Sequence, residues 1–81
     1  MFYYDLEKSG KRIKELRKAK GFTQEALGDR IGITAVGLRM IEMGKNGAKI
    51  DTLICLAEEL DTTIDYLVTG RNCRVIVDEE E

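Results

Sequence analysis

The stretch TQEALGDRIGITAVGLRMIEMG contains two short segments with helical apolar spacing, one on each side of a glycine turn. In the first segment Leu27 and Ile31 are four residues apart, which places both on one side of a helix. Leu38 and Ile41, three residues apart, do the same in the second segment. Gly32, between the segments, can adopt the positive φ of a tight turn. The stretch therefore predicts two helices that pack against each other through a three-residue turn.

Three more helices are predicted around this pair. A first helix is expected over about residues 7–20, a fourth over about residues 50–60 and a short fifth between residues 63 and 70, each with apolar residues at helical spacing. Threonines precede the second, third and fifth helices, and a threonine hydroxyl can accept a hydrogen bond from a free first-turn N–H group. These candidate caps are Thr23, Thr34 and Thr63. The sequence predicts an all-α fold of five short helices.

The length of 81 residues allows one small domain. We expect this domain to cover residues 7–70, with residues 71–81 as a C-terminal strand or acidic tail. In the tail, CRVIV would place Cys73, Val75 and Val77 on one side of a strand and Arg74 and Ile76 on the other. The stretch is also rich in β-branched residues, as in a short strand. A lone strand is unstable in water, so it would pair with its own copy across a dimer axis or with FYY near the start of the chain. The alternative is a frayed tail.

The formal net charge of −2 conceals an uneven distribution of charge. Residues 8–49 contain eleven Lys and Arg against four Asp and Glu, a balance of +7. Residues 50–81 contain two against nine, a balance of −7. A basic half is typical of proteins that contact nucleic-acid phosphates. Charge alone leaves a second interpretation open, because solvated helix faces often carry similar clusters.

The residue types needed for catalysis or metal binding are scarce in this chain. It has no His and only two Cys, too few for a four-ligand zinc site or a disulfide framework, and it lacks a phosphate-cradling glycine loop followed by Lys. No apolar run approaches the roughly 20 residues that span a bilayer, and the first residues do not resemble a secretory signal. We therefore expect a cytoplasmic protein without enzymatic activity, cofactor, metal or membrane contact.

Three stretches, GKRIKELRKAKGFTQEALGDRIGI, IEMGK and TIDYLVTG, carry a resemblance to a known family. Their order and spacing resemble the helix-turn-helix domains of lambda repressor and Cro-type proteins, also called the XRE family, over about residues 10–70. The resemblance implies a lambda-repressor-like fold that binds double-stranded DNA, with the third helix in the major groove. It also implies a transcriptional regulator, expected to be a repressor, that acts as a homodimer on a two-fold related operator.

The same resemblance implies roles for individual residues. Arg17 and Glu42 match a pair that forms a buried or half-buried salt bridge between the first and third helices. The positions expected to face DNA bases are Ala35, Val36, Arg39 and Met40. Those expected to face phosphates are Lys11, Arg12, Gln24, Thr34, Lys45 and Asn46.

Two departures from the family pattern affect the expected function. Lys49 stands before the fourth helix where a capping side chain is common, so the start of that helix is expected to lack its cap. The expected base-reading face is poor in polar side chains, although Val36 can contact thymine methyl groups and Arg39 can pair with guanine. The alternative is that Val36, Met40 and Met43 form a protein-binding patch on a domain that has lost base reading.

Overall fold

The computed structural model describes residues 4–71, and all regular structure within them is helical. The helices are α1 (Leu6–Ala19), α2 (Gln24–Ile31), α3 (Ala35–Glu42), α4 (Ile50–Glu59) and α5 (Ile64–Thr69). The prediction of an all-α, five-helix fold is confirmed. The predicted strand at residues 73–77 lies outside the described residues. No helix within residues 4–71 is long and apolar enough to cross a membrane.

Side-chain caps fix the starts of four helices. The hydroxyls of Thr23, Thr34 and Thr63 each accept a hydrogen bond of 2.9–3.0 Å from the backbone N–H three residues later. Asp5 caps α1 in the same manner at 3.1 Å, a role that the sequence analysis did not identify. α4 follows Lys49 and has no side-chain cap, as predicted. The first-turn N–H groups of α4 are therefore left without a side-chain acceptor from the residue that precedes the helix.

One apolar core lies between the five helices, and every helix contributes to it. Its buried members are Ile13, Leu27, Leu38, Ile41, Leu53, Leu56, Ala57, Leu60 and Leu67. Burial of a large aliphatic side chain stabilises a fold by about 1.5–3 kcal/mol. Helices of six to fourteen residues are marginal or unstable alone in water, so the shared core holds these elements in place.

The turn between α2 and α3 determines how α3 is presented. Gly32 has a φ of +82°, a conformation that favours glycine. The N–H of Ile33 donates to the carbonyl oxygen of Gly28 at 2.9 Å and closes the turn. Leu27 of α2 and Leu38 of α3 are both completely buried in the same core. α3 is therefore held with one side against the domain, as the spacing predicted.

Gly10 lets α1 pass directly over the carboxyl end of α3. A Cβ atom at this position would lie 2.5 Å from the carbonyl oxygens of both Ile41 and Glu42. These oxygens belong to the backbone, so they cannot rotate away as a flexible side chain would. Glycine inside a helix costs about 0.5–1 kcal/mol relative to alanine. In this position it permits the close approach of α1 to α3.

We expect Gly10→Ala to lower the free energy of unfolding by about 1–3 kcal/mol, because the added methyl group must push α1 away from α3. Helix propensity favours alanine, so a loss of stability would come from the contact between the helices. Urea denaturation measures the change, with Lys14→Ala at an exposed position of α1 as the control. A Gly10→Ala protein as stable as the control would contradict this close packing.

Candidate nucleic-acid interface

α3 has one side in the core and one side that faces solvent. Leu38 is completely buried, whereas Val36 is 65% exposed. Arg39 is also exposed, and Ala35 and Met40 are half-buried. Val36 and Arg39 are three residues apart and are therefore neighbours on the helix surface. The exposed side of α3 thus presents an apolar side chain next to a guanidinium group.

The amino end of α2 is joined to the carboxyl end of α3. Gln24, the first residue of α2, donates from Nε2 to Glu42 Oε1 at 3.0 Å. This hydrogen bond, which the sequence analysis missed, fixes the half-buried amide group of Gln24. The free N–H groups and the positive dipole end of α2 are held next to α3, an arrangement that suits an anion.

Arg17 and Glu42 form a buried ion pair between α1 and α3. Arg17 Nε donates to Glu42 Oε2 at 2.7 Å, and Nη2 donates to Oε1 at 3.1 Å. The two side chains are only 8% and 2% exposed. Arg17 Nη1 also donates to the carbonyl oxygen of Phe22 at 2.9 Å. The pair therefore connects α1, the segment before α2 and the end of α3 in one hydrogen-bonded network.

Polar side chains flank α3 at both ends. Thr34 is exposed at the amino end, where its hydroxyl caps the helix. Lys45 and Asn46 are exposed in the loop that follows α3. The backbone N–H groups of these two residues donate to the carbonyl oxygen of Met40 at 3.0 and 3.4 Å, so the loop folds back against the helix. Lys11 is exposed on α1.

Arg12, one of the predicted phosphate contacts, lies at the carboxyl end of α5. Its Nε and Nη2 atoms donate to the carbonyl oxygens of Leu67 and Val68 at 3.1–3.3 Å. Its Cζ atom also lies 5.9 Å from the centroid of the Tyr66 ring. α5 has no basic residue in its last turn, and Arg12 of α1 supplies donors to its last carbonyl groups. Arg12 therefore caps α5 and joins it to α1, and its contact with phosphate stays a prediction.

Two consecutive helices joined by a tight turn, the second with an exposed side flanked by polar and basic residues, define a helix-turn-helix domain. The helix-turn-helix family profile matches residues 13–67 of this chain. The chain therefore belongs to the helix-turn-helix family, and the predicted resemblance is confirmed.

Similar proteins agree with this assignment. The chain is 34% identical over 70 residues to the SPbeta prophage-derived uncharacterized HTH-type transcriptional regulator YonR of Bacillus subtilis, covering 86% of this chain and 65% of YonR. The crystal structure of the P22 c2 repressor with a synthetic operator has a TM-score of 0.76 and 30% identity, covering 78% of this chain and 96% of the repressor chain. SinR, a master regulator for biofilm formation crystallised with DNA, has a TM-score of 0.68 and 30% identity, covering 73% of this chain and 95% of the SinR chain.

These comparisons indicate what kind of protein the chain resembles and how much of each relative it matches. YonR is named as an HTH-type transcriptional regulator, and the P22 c2 repressor and SinR were crystallised with an operator and with DNA. The chain spans about half to two thirds of the length of the curated relatives it matches. The similarity therefore concerns the helix-turn-helix domain.

We expect Arg17→Ala to lower the free energy of unfolding by about 3–5 kcal/mol, because it leaves the Glu42 carboxylate buried without its cationic partner. Arg30→Ala is the matched control, since Arg30 pairs with Glu59 at a largely exposed position and such pairs contribute about 1 kcal/mol or less. Chemical denaturation of both variants measures the difference. Equal losses in the two variants would mean that the buried pair does not organise the fold.

Proposed function

We propose that this chain binds double-stranded DNA in a sequence-specific manner and regulates transcription, with α3 in the major groove. The observation that carries the proposal is the division of α3 into a core side, with Leu38, and an exposed side, with Val36 and Arg39. The major groove is wide enough to admit an α-helix. The similarity to the P22 c2 repressor and to SinR, both crystallised with DNA, supports the proposal.

Arg39 and Val36 are the proposed main base-reading residues. A guanidinium group can donate to both O6 and N7 of guanine, the commonest specific contact to a base. Val36 is exposed, apolar and conformationally stiff, which suits contact with the C5-methyl group of thymine. Ala35 and Met40, both half-buried, would add smaller contacts beside them. This combination explains how a face with few polar side chains can still distinguish bases.

Phosphate contacts are proposed at both ends of α3 and at the start of α2. Lys45 and Asn46 follow α3, and Thr34 precedes it. Gln24 begins α2, whose free N–H groups attract an anion. Lys11 adds a cation from the exposed side of α1. Residues 8–49 have a charge balance of +7, which supports contacts with several phosphates of the DNA backbone.

We further propose that the protein acts in the cytoplasm as a homodimeric repressor. Two copies related by a two-fold axis can read two half-sites that lie one helical turn apart. Ile64 and Tyr66 on α5 are half-buried in a single copy and are candidates for the contact, as is the segment 73–77. Sedimentation of the full chain and of a chain that ends at Gly70 distinguishes them. A shortened chain that is equally dimeric would exclude the segment.

Arg39→Ala should relax the base preference at one position of the binding site while the other positions stay readable. The expected loss of discrimination is about 1–3 kcal/mol at that base pair. Selection of bound fragments from a random DNA pool, followed by affinity measurements on single-base variants, gives the result. Arg30→Ala, which removes an exposed guanidinium paired with α4, is the control. Unchanged preferences in a folded Arg39→Ala protein would refute direct readout by Arg39 and would favour a protein-binding role for the exposed side of α3.

Lys45→Ala should weaken binding to all DNA sequences alike. Loss of one phosphate contact is expected to flatten the dependence of log K on log salt concentration by about 0.9. Lys20→Ala removes the same charge from a residue that pairs with Asp61 between α4 and α5, and serves as the control. Titrations at several salt concentrations provide the slopes. A Lys45→Ala slope equal to the wild-type slope would remove Lys45 from the set of phosphate contacts.

A further inference from the structure

A groove of about 400 Å³ lies between the α2–α3 turn, α3 and the loop that leads into α4. Isoleucines from the turn and from α3 form much of its apolar lining, and its polar lining comes from the loop and the first turn of α4. The lining includes Ile31, Ile33, Gly37, Ile41, Lys49 and Thr52. The volume lies within the range of about 300–1,000 Å³ that is usual for clefts that bind small molecules.

Gly37 leaves space in this groove from inside α3. A glycine in a helix is less favourable than an alanine. A Cβ atom at Gly37 would lie 3.2 Å from Thr34 Oγ1 and 4.0 Å from Ile33 Cβ. Beyond its own helix backbone and chain neighbours, no other atom of residues 4–71 lies within 4 Å of that position. No approach of another backbone segment explains this glycine, in contrast to Gly10, and its visible effect is a wider groove.

The polar part of the groove carries a single positive charge. Lys49 is the only charged residue in the lining within residues 4–71, and half-buried Thr52 adds a hydroxyl group. Asp51 is exposed in the first turn of α4 and does not line the groove. The groove therefore combines apolar walls with one cation and one hydroxyl donor at the α4 side.

We propose that the groove binds a small molecule with a compact apolar body and one carboxylate. The apolar body packs against the isoleucines, where it leaves water. The carboxylate lies beside Lys49 and accepts hydrogen bonds from its ammonium group and from the hydroxyl of Thr52. One carboxylate matches the one lysine that lines the groove within the described chain. A second carboxylate would lose hydration against apolar walls without a cationic partner.

The consequence for DNA binding rests on the proposed function. Lys45 and Asn46 are proposed phosphate contacts, and Asn46 also lines the groove. A carboxylate bound beside Lys49 places a negative charge next to this loop and repels the DNA backbone, most strongly at low salt. The small molecule therefore lowers the affinity of the protein for DNA. By linkage, DNA lowers the affinity for the small molecule by the same factor.

Titration with octanoate tests the groove without DNA. We expect the amide signals of Ile33, Gly37, Gly47 and Thr52 to shift together and to saturate, as for one site. Octylammonium, with the same chain and the opposite charge, should bind at least about five-fold more weakly, because it meets Lys49. Acetate, which has the charge without the apolar body, should not saturate the site. Shifts that do not saturate, that avoid the groove, or that are equally strong with acetate would overturn the proposal.

Lys49→Gln tests the contact with the carboxylate. We expect octanoate to bind about two- to five-fold more weakly to this variant, as for loss of one exposed ion pair. The preference for octanoate over octylammonium should narrow at the same time. Lys18→Gln removes the same charge from an exposed position of α1 and is the control. Equal octanoate affinity in the two variants would contradict the role of Lys49.

Gly37→Leu tests the space in the groove, because the added side chain occupies it. We expect octanoate binding to weaken at least about ten-fold, since the apolar contact of the ligand is lost. Ala26→Leu adds the same side chain at an exposed position of α2 and is the control. Thermal unfolding checks that both variants fold, and Ala48→Leu, which fills the groove from the loop, replaces Gly37→Leu if that protein does not. Unchanged octanoate binding in a folded, filled variant would overturn the site.

DNA titrations with and without saturating octanoate separate the groove from the proposed function. At low salt we expect octanoate to weaken binding to a selected DNA fragment by about five-fold or more, and DNA to weaken octanoate binding equally. Unchanged DNA affinity at saturation would overturn the regulation. Absence of DNA binding by the protein without octanoate would refute the proposed function, while the octanoate titration would still decide whether the groove binds the carboxylate.

Discussion

The buried pair of Arg17 and Glu42 fixes the relation between the helix that supports the domain and the helix that is proposed to enter DNA. The carboxylate of Glu42 accepts hydrogen bonds from Arg17 and from Gln24, so three helices converge on one charged group. A buried carboxylate is costly unless it is paired and hydrogen-bonded. Arrangements in which α1 or α2 shifts relative to α3 therefore leave that group unsatisfied. The pair excludes alternative packings, which matters because helices this short have little stability of their own.

Apolar spacing and turn chemistry were sufficient to predict most of the fold. The positions of Leu27, Leu38 and the threonine caps depend on local rules, and local rules can be applied to a single sequence. The roles of Arg12 and Gln24 depend on residues far away in the chain, at positions 67, 68 and 42. A sequence pattern contains no direct information about such pairings. The last turn of α5 contains no basic residue, which is a weak sequence signal for the cap formed by Arg12.

Part of the candidate nucleic-acid interface could be predicted from the sequence, and part could not. The resemblance to a known family supplied the positions expected to face bases and phosphates, and apolar spacing alone indicated which side of α3 is buried. A groove of about 400 Å³ between the α2–α3 turn, α3 and the loop before α4 was not foreseen. Its lining comes from residues 31 to 52, and the loop shape depends on hydrogen bonds back to Met40. Similarly, the glycine at position 10 has no visible purpose in the sequence. Its purpose becomes evident only where two helices meet.

The exposed valine of α3 determines how the proposed DNA contact would respond to chemical modification of the DNA. A side chain that recognises a methyl group by apolar contact responds to the methyl group and not to the base that carries it. In the major groove the C5-methyl of thymine and that of 5-methylcytosine occupy equivalent positions. A surface with Val36 at its centre would therefore accept a methylated cytosine where it accepts thymine, and would lose contact when uracil replaces thymine. Binding by such a surface depends on covalent modification of the DNA as well as on its sequence.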